Sequence, residues 1–383
     1  MNKLRSKNSK RRKNIVKIVL LILSAFIIVF TLHGCGTEEE DSTSVESGTE
    51  ESSEISEETA TEDAEETSEV SEESAGAKTG LSVDTSLEKS TDSSEEDDGL
   101  AQVDSVIVAV ITDSENRIAN CAIDSAQTKI NFSDTGEIIT PLDKVFVGKQ
   151  ELGEEYGMIE ASSIGKEWNE QATALSNYVI GKTVEEVKGI AVNEEGTPTE
   201  SELTSSVTMH ITNYISGIEK AVNQAENRGA SADDKLGIGV ITTIDRSEDA
   251  TAEEEGLAQA YSTYAAVTFD EEGIITSCII DSSQANVNFN QEGEITSDLS
   301  ISPKTKNELG DEYDMKSVSE IGREWYEQAD AFAEYTVGKT IDEVKGISLN
   351  EEGVPTESEL TSSVTIHVGP FVTVIEKAYD AAK

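Results

Sequence analysis

The seven residues ELTSSVT occur twice, at 202–208 and 359–365, each time after an NEEG turn and a Pro-Thr-Glu-Ser tetrad and ahead of an apolar segment with helical spacing. At the start of a helix the first backbone N–H groups have no intrahelical acceptor. Ser205, Thr208, Ser362 and Thr365 are therefore predicted to cap those groups, or to share them with a bound anion such as a phosphate. Glu202 and Glu359 open the two motifs, and His210 and His367 lie two residues beyond each Thr. One histidine per motif builds no multi-histidine metal site. It offers a contact to a ligand edge or a phosphate, against the alternative of a partly exposed structural side chain.

The elements that must position these residues are themselves repeated. From Gly80 onward the chain matches itself with a single shift of 157 positions and no gap, placing Cys121 on Cys278, Asp124 on Asp281, Trp168 on Trp325 and Thr208 on Thr365. Two tandem copies of one domain, 80–226 and 237–383, are joined by a linker at 227–236. In each copy β-branched runs, 106–111 and 118–123 in the first, flank a polar turn and predict a hairpin, and 129–132 alternates as a further strand. Cys121 and Cys278 fall mid-strand among apolar neighbours and read as buried thiols rather than nucleophiles.

The second half of each copy reads as helical. Trp168, Ala172, Leu175 and Val179 recur at helical spacing before Gly181, so Trp168 and its repeat partner Trp325 are predicted core anchors. A short helix at 184–190, a strand-like 191–193 and a final helix bearing Ile211, Ile215 and Ile218 on one face complete the copy. The predicted fold class is α+β: two tandem copies of a small antiparallel sheet with helices packed on one side.

Composition narrows the function. With 77 acids against 29 bases among 383 residues, the formal charge of −48 excludes nucleic acid and anionic membrane surfaces as partners, because their phosphates are repelled. Three cysteines support neither a disulfide framework nor a cysteine zinc site. Residues 1–35 carry eight bases and then an apolar run ending in Leu32, His33, Gly34 and Cys35, similar to a bacterial lipoprotein signal with Cys35 as the lipidated residue. An uncleaved signal anchor is the other reading, and both put the rest of the chain on the extracellular face of the membrane. Loss of residues 1–34 removes eight bases and no acids, taking the charge from −48 to −56. Residues 36–79, almost wholly Ser, Thr, Glu, Asp, Gly and Ala, read as a disordered acidic tether. The acidic run 248–255 lacks the ligand spacing of a calcium loop and reads as a solvated charge run. No nucleophile-and-base pair, phosphate-cradling glycine loop or paired catalytic carboxylates stand out, so no enzyme class is assigned.

Taken together, the hairpin with its Asp or Gly turn, the helix before Gly181 or Gly338 and the ELTSSVT motif with its closing helix resemble the FMN-binding domain family. Its members include bacterial lipoproteins and subunits of membrane electron-transfer complexes. The family's motif runs Asp, two variable residues, Ser or Thr, Gly, Ala, Thr, and a flavin transferase joins FMN through its phosphate to the last Thr. By this resemblance Glu202 and Glu359 stand for the Asp, Ser205 and Ser362 for the Ser, and Thr208 and Thr365 for the acceptor. The chain departs from the motif where Ser206 and Ser363 replace Gly, Val207 and Val364 replace Ala, and Glu replaces Asp. The resemblance implies an extracellular electron carrier, or an accessory to one, whose partners are a flavin transferase and redox proteins. The alternative is a cofactor-free, tethered binding or structural module of the cell envelope.

Overall fold

The computed structural model describes residues 76–382. The signal segment, Cys35 and the tether up to residue 75 lie outside the described residues. The first copy enters its sheet at β1 (Lys78–Ser86), followed by the long hairpin β2 (Gly99–Thr112) and β3 (Ile118–Phe132). After the short β4 (Val145–Val147) come helices α1 (Lys149–Leu152), α2 (Trp168–Val179), α3 (Val184–Lys188), α4 (Ser201–Thr204) and α5 (Thr212–Asn223). The second copy repeats the plan with β5 (Lys235–Thr243), β6 (Gly256–Phe269) and β7 (Ile275–Phe289). Its helices are α6 (Lys306–Leu309), α7 (Trp325–Thr336), α8 (Ile341–Lys345) and α9 (Gly369–Ala381). This is the expected α+β class. Lys78 and Thr79, assigned to the tether, open β1, and Lys235 and Leu236, assigned to the linker, open β5.

The strands form two antiparallel sheets, β1-β2-β3 and β4-β5-β6-β7. The fourth strand of the second sheet comes from the first copy, since β4 pairs with β5 through Val145–Thr243, Phe146–Thr242 and Val147–Ile241. Where two separate strands were predicted, β3 runs unbroken from Ile118 to Phe132 along β2. Its polar middle, Asp124, Ser125 and Thr128, is buried despite its chemistry, because both faces of the sheet are covered.

One face of each sheet takes that copy's own helices. Val108, Val110, Ile123, Trp168, Leu175 and Ile218 belong to one cluster, and Val267, Ile280, Trp325, Phe332, Phe371 and Ile375 to its counterpart. Trp168 and Trp325 are buried, as core anchors should be. Close helix approach requires glycine on the first strand: a Cβ at Gly80 would lie 2.0 Å from the carbonyl O of Ala221, and one at Gly237 1.8 Å from that of Ala378.

The other face of each sheet packs on the other copy's sheet, which gives the layers helix, sheet, sheet, helix. Ile107, Ala109, Ile238, Val240 and Tyr264 fill one half of this interface, and Val103, Ile130, Ala260 and Val287 the other. Phe132 and Phe289, both fully buried, stack with ring centroids 4.2 Å apart. Each copy also pins the other's hairpin turn: Asp249 Oδ1 accepts from Ile138 N at 2.8 Å, and Asp92 Oδ1 from Ile295 N at 2.7 Å. The acidic run 248–255 is thus part of a turn between the copies. Among the described residues no group of three or more His, Cys, Asp or Glu side chains is arranged to hold a metal ion, and no helix is long and apolar enough to cross a membrane.

Candidate functional site

The two ELTSSVT segments are held from beneath by a buried glutamine. Gln171 Oε1 accepts from Thr208 N at 2.8 Å, Met209 N at 3.2 Å and Thr208 Oγ1 at 3.4 Å, while its Nε2 donates to Ser162 Oγ and Lys166 O, both at 3.2 Å. Gln328 does the same for Thr365, at 2.9 Å to N and 3.1 Å to Oγ1. Neither glutamine is exposed. Thr208 and Thr365 are half-buried, whereas Glu202, Ser205, Glu359 and Ser362 are exposed.

The predicted helix capping needs correction. Helix α5 starts at Thr212 with Ile211 as its N-cap, and α9 starts at Gly369 with Val368; neither has a side-chain cap. The hydroxyls of ELTSSVT stop short because Val207 and Ile211, both fully buried, drive the intervening turn into the core. In the first copy 201–204 forms the four-residue α4, capped by Glu200 without a side-chain bond. His210 rests on the NEEG turn, Nδ1 donating to the carbonyl O of Glu195 at 2.9 Å, and His367 packs on Gly353 and Gly369. The Glu of the Pro-Thr-Glu-Ser tetrad accepts from a tyrosine, Tyr178 to Glu200 and Tyr335 to Glu357. These bonds push both tyrosines up to about 12.

A cleft of about 410 Å³ opens elsewhere, between the copies. Its walls are β3 and α2 of the first copy and the last turn of α9 of the second, over a floor of Leu236, Ile238 and Val240 from β5. Asp124, Glu151, Asn169 and Asn177 line one side, and Lys377 and Asp380 the other. Lys377 Nζ lies 2.6 Å from both carboxylate oxygens of Glu151. Asp124 is buried; its Oδ1 accepts from Ser125 N at 2.7 Å and Gln150 N at 3.0 Å, and burial outweighs those bonds to push its pKa up to about 7. Gly148 makes room for this carboxylate, since a Cβ there would sit 2.1 Å from Asp124 Oδ2. Asn169 Oδ1 is buried and accepts no hydrogen bond among the described residues.

The internal repeat generates an equivalent cleft on the other side, lined by Leu81, Val83, Lys220, Gln224, Arg228, Ile279, Asp281 and Glu308, but only about 180 Å³ in volume. The same ion pair recurs, Lys220 to Glu308 at 2.7 Å. Bulk makes the difference. The shift of 157 sets Ile279, which lines the smaller cleft, against Ala122, and Asp330 against Thr173. Arg228, from the segment joining the copies, reaches Asp330 at 2.5 Å. No ELTSSVT residue lines either cleft.

A second buried constellation is a lysine among aromatic rings. Lys306 Nζ donates to Tyr261 Oη at 2.8 Å and faces the rings of Tyr313 at 4.5 Å and Trp325 at 4.9 Å. Burial, then the charge of Arg246, pushes it down to about 7. Lys149 repeats the arrangement with Tyr156 and Trp168.

Comparison with protein-family models, with curated proteins and with solved structures finds no match to this chain. Sequence reasoning singled out neither the cleft, whose ion pair joins residues 226 positions apart, nor the lysines, which open short helices that carry no pattern of their own. The available signal is where the copies differ. Ala122 against Ile279 marks the open cleft, whereas the identical ELTSSVT marks only what both copies share.

Proposed function

We propose that this chain is a membrane-tethered binding module of the cell envelope, whose two copies together hold a small molecule in the cleft between β3, α2 and α9. The observation that carries the reading is the inequality of two equivalent clefts, one near 410 Å³ and one near 180 Å³. A volume of a few hundred Å³, with an apolar floor and a few convergent polar groups, has the character of a small-molecule site. The variant Ala122→Ile gives the open cleft the side chain that its equivalent carries as Ile279, so the fold has a precedent for it. The test is a saturation-transfer NMR screen of a library spanning cations, anions and neutral compounds, run on the mature chain and on this variant. Compounds that bind the parent and are lost on the variant support the reading; no binders, or binders indifferent to the variant, overturn it.

One observation favours a flavin instead: the acceptor Thr stands half-exposed in the same geometry in both copies. The amides that would receive a phosphate are nevertheless engaged by Gln171 and Gln328, and neither cleft above is lined by Thr208 or Thr365, so the residues present fit FMN poorly. Intact mass after coexpression with a flavin transferase decides this reading. An FMN increment that disappears in Thr208→Ala, Thr365→Ala establishes it, and an unmodified mass removes it.

A further inference from the structure

We infer that the smaller cleft is a second copy of the binding site, held shut by a latch in which Arg228, on the segment joining the two copies, grips Asp330 on α7. The inference rests on the cleft reading above and adds a second site and its control. Val83, Lys220, Asp281 and Glu308 line the smaller cleft at the positions where Val240, Lys377, Asp124 and Glu151 line the open one, and a lysine-to-glutamate ion pair spans each. What differs is the filling. Ile279 stands for Ala122, and Arg228 lies along the smaller cleft with 26% of its side chain exposed.

The joining segment is built as a strap. One end is fixed where Thr79 and Glu226 exchange backbone hydrogen bonds at 2.9 and 3.0 Å. At the other end Asp234 O accepts from Asn120 Nδ2 at 3.2 Å, and Asp234 Oδ2 from Ser231 N at 2.8 Å. Between the anchors Gly229 takes φ +101°, a conformation that favours glycine, and a Cβ there would lie 2.8 Å from Thr276 O, so the strap lies directly on β7. Arg228 Nη1 then sits 2.5 Å from Asp330 Oδ1, and Nη2 3.2 Å from Glu226 Oε2. The side chains of Asp330 and Glu226 are 45% and 69% exposed, and ion pairs with exposed partners hold by a small margin. Neither anchor of the strap depends on Arg228, so the latch opens without loss of the fold. The open cleft has no such latch, since Thr173 stands in place of Asp330 and carries no charge.

The test follows entry of the neutral nitroxide TEMPOL into both clefts, read as paramagnetic broadening of buried methyl signals, Ile238 and Val240 in the open cleft and Leu81 and Val83 in the smaller one. It is run on the mature chain, on Arg228→Ala and on Asp330→Asn. Asp330 does not line the smaller cleft, so Asp330→Asn releases Arg228 without removing bulk from it. The expected result is stronger broadening at Ile238 and Val240 than at Leu81 and Val83 in the parent, with the latter pair rising about threefold in both variants, as for loss of an exposed ion pair. Compounds that bind the open cleft are then expected to shift the Leu81 and Val83 methyls in Asp330→Asn, and none doing so overturns the second site. A rise in Arg228→Ala alone shows that Arg228 only fills space and overturns the latch. No rise in either variant overturns latch and second site together, while broadening at Ile238 and Val240 of the parent keeps the open cleft. Absence of that broadening from the parent counts against the open cleft itself and overturns the second site with it.

Discussion

Gln171→Leu is expected to destabilise the folded chain by about 2–4 kcal/mol, because five hydrogen bonds converge on one buried amide. The figure follows from what each partner loses. Thr208 N and Met209 N lose their acceptor, and Lys166 O and Ser162 Oγ lose a donor. A net bond is worth about 1 kcal/mol, and a buried group left unpaired costs about 1–3. Thr208 and Met209 are only half-buried, so water recovers part of the loss, and the sum settles in the lower part of the range. Leucine matches the volume, which keeps a cavity term out of the comparison. The assay is urea unfolding followed by tryptophan fluorescence, since Trp168 starts the helix that carries Gln171. With a slope of about 3 kcal/mol/M the midpoint falls by about 1 M. Hydrogen exchange at 205–209 rises with it. A midpoint shift under about 0.2 M, with exchange at Thr208 and Met209 unchanged, refutes the claim that Gln171 fastens the motif.

Other expectations follow from the same contacts. Phe132→Ala removes half of a fully buried stack between the sheets and is expected to cost about 3–5 kcal/mol, with Phe289→Ala alike and the double variant costing less than their sum; a loss below about 1 kcal/mol contradicts face-to-face packing. Burial pushes the thiols of Cys121 and Cys278 up to about 12, so peptide mass mapping should find both unalkylated by iodoacetamide in the native chain and modified in urea; rapid native labelling contradicts it. Asp124 and Asp281 are raised to about 7, so the native state binds more protons than the unfolded chain between their ordinary 3.8 and 7, and their contribution to stability falls as pH rises through that window. Lys306, lowered to about 7 from 10.5, contributes with the opposite sign, adding stability as pH rises from 7 to 10.5. Urea midpoints are therefore expected to be lower at pH 7 than at pH 5.5 or pH 9, and a maximum at pH 7 refutes the pair of assignments.

The repeat, the helix of Trp168 and the α+β class were legible because each rests on spacing within a short window. The length of β3 was not, since Asp124, Ser125 and Thr128 interrupt its apolar pattern and are buried only because a second sheet covers them. β1 was missed at the boundary of an acidic tract, where Lys78 and Thr79 carry no strand signature of their own. The ELTSSVT motif was visible as a sequence, but its partner Gln171 lies on another helix 37 positions away, and the start of α5 was misplaced by the buried turn at Val207 and Ile211. The cleft joins Asn169 to Lys377 across two domains, and its openness depends on Ala122, whose larger counterpart Ile279 lines the smaller cleft.

The most direct test of the binding cleft is a ¹H–¹⁵N spectrum of the labelled mature chain titrated with pools from the screening library of cations, anions and neutral compounds. Binding in the cleft moves the amide signals of Gln150, Asn169 and Asn177, including their side-chain NH₂ pairs, together with the backbone signal of Ala381. Shifts confined to 205–210 and 362–367, or an unchanged spectrum, contradict it.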